Sequence, residues 1–175
     1  MYIKNVYRPI LVSLCFSSLL NAGSIARMQS KGSLMNLQLD KTVNPKGDFS
    51  EINLSGMNLT DLDGFTKLLT AQEAAKVVKL KLNGNAISSI HRVDAKTGKE
   101  MFQGFPVLRE LHLENNNISE IEDGVFAPLN RNENRVTVFL LDNPYLRSGT
   151  ALRLKKDYPL ITFKFPTDIE RLLTR

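Results

Sequence analysis

The feature that most constrains this chain is an internal repeat of aliphatic residues. Segments that begin at Phe49, Val77, Leu108 and Arg135 align with one another, and a fifth, degenerate copy begins at Leu160. One position of the alignment is apolar in every copy, and its residues are Leu54, Leu82, Leu113, Leu140 and Phe165. These positions are 28, 31, 27 and 25 residues apart. Repeats of this length predict a stack of supersecondary units that share one core, because a single unit cannot bury its own apolar face.

The spacing inside each copy predicts a β-strand that leads into a corner. Two apolar residues separated by one residue lie on the same face of a strand. An asparagine then follows at Asn85, Asn116 and Asn143. Because an amide both donates and accepts, we expect these three side chains to form a ladder of hydrogen bonds with backbone groups that the bend leaves unpaired. Met57 occupies this position in the first copy, which we expect to be the loosest copy or part of a cap.

The second and third copies match the pattern L-x-x-L-x-L-x-x-N-x-L throughout, whereas the first departs at Met57 and the fourth at Arg135. Over residues 49–165 the chain therefore resembles the leucine-rich-repeat family. The resemblance implies an α/β fold, a right-handed solenoid of four to five repeats with a parallel β-sheet on its concave face and short helices and loops on its convex face. Good helix formers favour helices over residues 63–76 and 150–158. Since aromatic residues make up only 7% of the chain, we expect Leu, Ile and Val to build the core.

The two ends of the chain carry different signals. Residues 1–26 join two basic residues, an apolar stretch and small residues, which is typical of a secretory signal peptide cleaved after Ala22 or Ala26. An uncleaved membrane anchor and a buried N-terminal strand remain alternatives. Residues 27–48 are expected to form an N-terminal cap, and residues 166–175 a C-terminal cap helix that buries Ile169, Leu172 and Leu173. Cys15 is the only cysteine, so the exported chain would have no disulfide.

Composition and motifs exclude several functions. The formal net charge of +5 comes without a long basic run, which argues against a nucleic-acid partner. No phosphate loop, G-x-S-x-G or H-E-x-x-H motif occurs, so we expect no enzyme, no catalytic residue and no cofactor. Glu110, His112 and Glu114 share one strand face, but a single histidine argues against a metal site.

The candidate site is the outward side of the strands. The resemblance implies that a protein partner binds this concave face, here formed by Glu51, Asn53, Lys79, Lys81, Glu110, His112, Glu114, Phe139 and Leu141. Ser55, Asn83, Thr137, Thr162 and Lys164 belong to the same face. Phe139 and Leu141 are expected to point outward beside His112, unless the register of the fourth copy places them in the core.

These signals together predict a secreted or cell-surface monomer that binds a protein partner. In this arrangement Lys79 and Lys81 would lie opposite Glu110 and Glu114. One alternative is a structural, self-assembling surface subunit that uses the same face. A second alternative is a small enzyme that uses Glu110 and Glu114.

Overall fold

The computed structural model describes residues 25–28, 37–40, 49–131 and 135–174. Nine short strands alternate with few helices. The strands are β1 (Ile25–Met28), β2 (Leu37–Asp40), β3 (Glu51–Asn53), β4 (Lys79–Lys81), β5 (Ser89–Ile90), β6 (Glu110–His112), β7 (Glu120–Ile121), β8 (Thr137–Phe139) and β9 (Thr162–Lys164). The α-helices are α1 (Ala71–Ala74), α2 (Ser148–Asp157) and α3 (Thr167–Leu173), and single 3-10 turns span Phe65–Lys67 and Leu129–Arg131.

The main element is a five-stranded parallel sheet, so the chain has an α/β fold. Its strand order is β3–β4–β6–β8–β9, which follows the order of the repeats along the chain. The register aligns equivalent positions of all five copies, and its central row is Ile52, Leu80, Leu111, Val138 and Phe163. Every residue of this row is buried. A second, two-stranded parallel sheet pairs β5 with β7.

Aromatic rings fill the space behind the sheet. Phe65 stacks on Phe105 with ring centroids 5.6 Å apart, and Phe102 stacks on Phe126 at 5.8 Å. Phe126 then contacts Phe163 on β9, with ring centroids 5.7 Å apart. This contact connects the segments that lead from one strand to the next, here called the returns, to the last strand. Leu, Ile and Val make up most of the buried core, as expected, and a few phenylalanines of large volume add to it.

The entry into the strand differs between the early and late copies. In the first three copies the buried residue two places before the strand is Phe49, Val77 or Leu108. In the fourth copy Arg135 is exposed and the next residue, Val136, is buried. The fifth copy repeats this shift, with Leu160 57% exposed and Ile161 buried. The apparent break in the repeat at Arg135 is thus a shift, by one residue, of the buried residue that precedes the strand, here called the strand anchor.

That shift has a visible cause in the backbone. Ahead of β4, the Ser50 carbonyl accepts from both the Val78 and the Lys79 amides, so one residue is accommodated as a bulge. Ahead of β8, the Arg109 carbonyl accepts from the Thr137 amide, and the same single bond recurs ahead of β9. The late copies therefore need one residue less between anchor and strand.

The return over residues 63–76 is two short turns and not the single helix that the sequence favours. Thr70 forms a capping box with Glu73 and begins α1 as a separate helix. The preceding 3-10 turn is held by Asp94, whose carboxylate accepts from the Gly64 amide at 2.9 Å and the Thr66 amide at 3.0 Å. Two competing sets of hydrogen bonds thus divide the segment.

Helix α2 overlaps the predicted helix over 150–158 but begins two residues earlier, at Ser148. Helix α3 lies in the predicted C-terminal cap and buries Ile169. Leu172, expected to be buried as well, is 56% exposed, whereas Leu173 packs partly against the core. A helix of seven residues offers the core only one narrow side, so adjacent leucines cannot both face inward.

Part of the N-terminal predictions lies outside the described residues, namely most of the signal peptide and most of the cap over 27–48. Within the described ranges, β1 pairs antiparallel with β2, and β1 includes Ala26, one of the two predicted cleavage points. In the part of the chain that the structure describes, no helix has the length and apolar composition needed to cross a membrane.

Candidate functional site

The corners that follow the strands are held by the three asparagines of the repeat. Asn116 is 3% exposed, and its Nδ2 donates to the carbonyls of Leu82 at 3.1 Å and Leu113 at 3.0 Å. Its Oδ1 accepts from the Ile87 amide at 3.1 Å. Asn143 repeats this pattern one copy later, accepting from the Ile118 amide and donating to Leu113 and Leu140. Each asparagine thus ties its own corner to the preceding copy.

This direction of bonding explains the first copy. Asn85 accepts from the amides of Met57 at 2.8 Å and Leu59 at 3.1 Å, and donates to the Leu54 carbonyl at 2.9 Å. The backbone amide of Met57 therefore donates a hydrogen bond to the asparagine of the next copy. The first repeat is secured without an asparagine of its own, and Met57 packs its side chain partly against the core.

In four successive copies the residue directly before the ladder position has a left-handed backbone conformation, which the repeat pattern L-x-x-L-x-L-x-x-N-x-L does not include. The residues are Gly56 (φ 66°), Gly84 (φ 67°), Asn115 (φ 52°) and Asp142 (φ 54°). Gly, Asn and Asp are the residue types that adopt this conformation most easily. Their recurrence directly before Met57, Asn85, Asn116 and Asn143 is a signal that the sequence contains.

The corners fix the strands, and the strands place their outward side chains in rows. We call the side of the five-stranded sheet that carries these outward side chains the open face. Its first row is Glu51, Lys79, Glu110, Thr137 and Thr162, and its second row is Asn53, Lys81, His112, Phe139 and Lys164. Ser55, Asn83, Glu114 and Leu141 follow two residues later on their strands. All of these side chains are partly or fully exposed, so the sheet presents them to solvent.

The charges on β3, β4 and β6 pair with one another. Lys79 Nζ lies 2.7 Å from Glu110 Oε2, and Lys81 Nζ lies 2.7 Å from Glu51 Oε1. Lys81 therefore pairs with β3 and stands level with His112, so its expected position opposite Glu114 is wrong. The hydrogen bond with Glu110 raises the pKa of Lys79, and hydrogen bonds from Lys79 and then His112 hold the pKa of Glu110 below its ordinary value. Such partly exposed pairs contribute little to stability.

His112 occupies the centre of the open face between two carboxylates. Its Nδ1 lies 2.8 Å from Glu114 Oε1, and its Nε2 lies 3.1 Å from Glu110 Oε2. The second Glu114 oxygen, Oε2, is buried and has no hydrogen-bond partner among the described residues. Two contacts at opposite ends of one ring hold the imidazole plane in a single orientation.

Phe139 stacks on the plane of His112. The ring centroids are 4.5 Å apart and the planes are inclined by only 5°. Leu141 lies two residues further along and also points to the open face, half-buried. The register of the fourth copy thus places Phe139 beside His112, and both apolar side chains lie outside the core.

Among the described residues, no group of three or more His, Cys, Asp or Glu side chains is arranged to hold a metal ion. A shallow groove of about 990 Å³ lies away from the open face, lined by Ser119, Glu120, Ile121, Glu122, Asp123, Tyr145, Arg147, Thr150 and Arg153. None of the predicted site residues lines this groove. Arg153 closes part of it through contacts with Asp123 and the Ile121 carbonyl.

No protein-family model matches the chain, and no curated protein matches it. The assignment of a role to the open face therefore rests on the repeat pattern and on the geometry described above.

Proposed function

We propose that the chain is an exported leucine-rich-repeat protein that binds a protein partner through the open face. In this proposal the five-stranded sheet forms the concave face of a short right-handed solenoid, and the irregular returns form its convex face. The protein acts as a secreted or cell-surface binding module and not as an enzyme.

The repeat assignment is supported by the agreement between pattern and register. The residues that align in the sequence also align across the strands, from Ile52 on β3 to Phe163 on β9. The side-chain amides of Asn85, Asn116 and Asn143 bond the corner of one copy to that of the copy before it. A stack built from such contacts between neighbours is the defining property of a solenoid.

The observation that carries the binding proposal is the pair of apolar side chains on a solvent-exposed sheet face. Phe139 and Leu141 are half-buried in the unbound chain, and Phe139 is held flat against His112. An aromatic ring fixed in place before binding loses little conformational freedom on association. The apolar pair is therefore suited to serve as the anchor of an interface.

The test compares capture of partners by the immobilised full chain and by two variants. Phe139→Ser combined with Leu141→Ser removes the anchor, whereas Leu152→Ser removes an equally large apolar side chain that is 62% exposed on α2. We expect a partner from a host or self lysate to be lost with the double variant and retained with Leu152→Ser.

A further variant tests the same face in case the double variant loses capture only because it does not fold. Thr162 is exposed on β9, beside Thr137, so Thr162→Tyr adds bulk to the face without adding a charge and without touching the core. Circular dichroism confirms that each variant is folded. Capture that survives both the double variant and Thr162→Tyr would show that another surface binds the partner.

A further inference from the structure

The open face contains two chemically different halves. On β3, β4 and β6 every charged side chain of the face has a partner, through Glu51–Lys81, Lys79–Glu110 and the contacts of His112 with Glu110 and Glu114. On β8 and β9 the face instead carries Thr137, Phe139, Leu141, Thr162 and Lys164. The charged side chains of the first half therefore contact one another, whereas the second half combines two apolar side chains and two threonines with one lysine.

Lys164 is the charged side chain of the open face that has no ion pair with any residue that the structure describes. It stands directly beside Phe139 in the register, its residue is exposed, and it has no ion pair among the described residues. Lys155, by comparison, lies 3.6 Å from Glu170 and over the ring of Phe165. A partner that meets the second half of the face therefore contacts an apolar pair and, on the neighbouring strand, a lysine with no ion pair among the described residues.

We propose that the occupant of this half is an acidic segment of a protein partner, in which an apolar side chain lies next to a carboxylate. This inference rests on the proposed function and deepens it by naming the chemistry of the partner. The apolar side chain packs on Phe139 and Leu141, and the carboxylate pairs with Lys164. A basic segment would bring a second cation next to Lys164. It would also find Glu51 and Glu110 already paired with lysines, and the second oxygen of Glu114 buried.

A new ion pair with a partner costs less free energy on this half of the face than on the other. A partner that used Glu110 or Lys79 would first have to break an existing ion pair, so the gain from a new pair would be offset by the loss of the old one. At Lys164 no such pair is lost. Because Lys164 is level with Phe139 in the register, the new ion pair would also form beside an apolar side chain that shields it partly from water, which strengthens it.

The absence of tryptophan from the chain permits a direct binding measurement. The probe is a ten-residue synthetic peptide in which a tryptophan and a leucine flank two aspartates, and its tryptophan emission is followed while the full chain is added. A second peptide has asparagines in place of the aspartates, and a third has lysines. We expect the acidic peptide to bind about three- to tenfold more tightly than the asparagine peptide, which is the range for a partly shielded ion pair.

Two protein variants assign this preference to one residue. Lys164→Gln should reduce the preference for aspartate over asparagine to nearly one, since the charge that recognises the carboxylate is gone. Lys156→Gln, an exposed lysine on α2, serves as the matched control and should leave the preference unchanged. Added sodium chloride should weaken binding of the acidic peptide to the protein and leave binding of the asparagine peptide unchanged.

Three results would overturn the inference. The first is equal binding of the aspartate and asparagine peptides, or no binding of the aspartate peptide at millimolar concentration. The second is an equal effect of Lys156→Gln and Lys164→Gln, which indicates a general attraction to basic surface. The third is a molecular mass that rises with protein concentration and falls in Lys164→Gln, which makes a second copy of this chain the occupant.

The capture experiment separates this inference from the proposed function. If capture depends on Phe139 and Leu141 but not on Lys164, the open face binds a partner of other chemistry and only the present inference fails. If capture depends on none of the three residues, both proposals fail.

Discussion

Truncation of Asn116 tests the physical basis of the whole stack. In Asn116→Ala the Ile87 amide loses its only described acceptor, and Ile87 is fully buried. The carbonyls of Leu82 and Leu113 each lose one bond but keep another, from Asn85 and Asn143 respectively. A buried amide without a partner costs roughly 1–3 kcal/mol, and each lost bond to a carbonyl costs about 1 kcal/mol. The expected loss of unfolding free energy is therefore about 3–5 kcal/mol.

The assay is urea unfolding of the full chain, followed by far-ultraviolet circular dichroism. Asn117→Ala is the matched control, because Asn117 is the next residue, is exposed and contributes its backbone amide to the Ile87 carbonyl. We expect the control to change the unfolding free energy by no more than about 0.5 kcal/mol. Equal unfolding midpoints for the two alanine variants would refute the reasoning that buried amide bonds hold the corners.

Asn116→Asp separates the two roles of the amide. The carboxylate keeps an oxygen for the Ile87 amide but directs a second oxygen at the carbonyls of Leu82 and Leu113, where Nδ2 donates in the native chain. We expect this variant to be at least as unstable as Asn116→Ala at pH 7. Burial and the facing carbonyls should raise the pKa of the new carboxyl in the folded state, so its penalty should shrink as the pH falls. A penalty that grows on acidification would contradict this assignment.

The remaining predictions concern the returns and the corners. Burial by itself raises the pKa of Asp94, but its hydrogen bonds outweigh burial and lower that pKa to about 2. The stability that this carboxylate contributes is therefore present above its unfolded pKa of about 4 and is lost as the pH falls toward 2. Asp94→Asn should cost about 2 kcal/mol at pH 7 and flatten the acid limb of a stability–pH curve, whereas an unchanged limb would exclude Asp94 as its source. Ile161→Ala should cost about 2–4 kcal/mol in urea unfolding and Leu160→Ala no more than about 0.5 kcal/mol, and the reverse order would show that the strand anchor of the fifth copy is misassigned. Gly84→Ala, at φ 67°, should destabilise the protein by about 1 kcal/mol in thermal unfolding. Gly149→Ala in α2, with open space around it, should stabilise the protein by up to about 1 kcal/mol. Changes in stability of the same sign for the two variants would contradict the conformational argument.

Much of the fold was predictable because the repeat specifies local and global structure with the same residues. Leu80 and Leu82 place both side chains on one strand face, and the same pair recurs at Leu111 and Leu113, so the alignment of the copies already implies the strand register. The five-stranded parallel sheet follows from that alignment.

The returns were less predictable, because their conformation depends on contacts between distant residues. Asp94 is about thirty residues from Gly64 in the chain, yet its carboxylate determines where the 3-10 turn begins. Similarly, the anchor of the fourth strand moves from Arg135 to Val136 because a bulge present in the early copies is absent there. The residues next to Asp94 and Val136 in the sequence do not indicate these roles.

The candidate site divides along the same line. The amino-acid sequence by itself determined which residues lie on the outward face, since alternation along a strand is a local property. Only the tertiary structure decided which of those side chains meet: that Lys81 pairs with Glu51, that Phe139 lies flat on His112, and that Lys164 is left beside the apolar pair. The physical reason is that contacts across strands depend on register and rotamer, which form only when all five copies stack on one core.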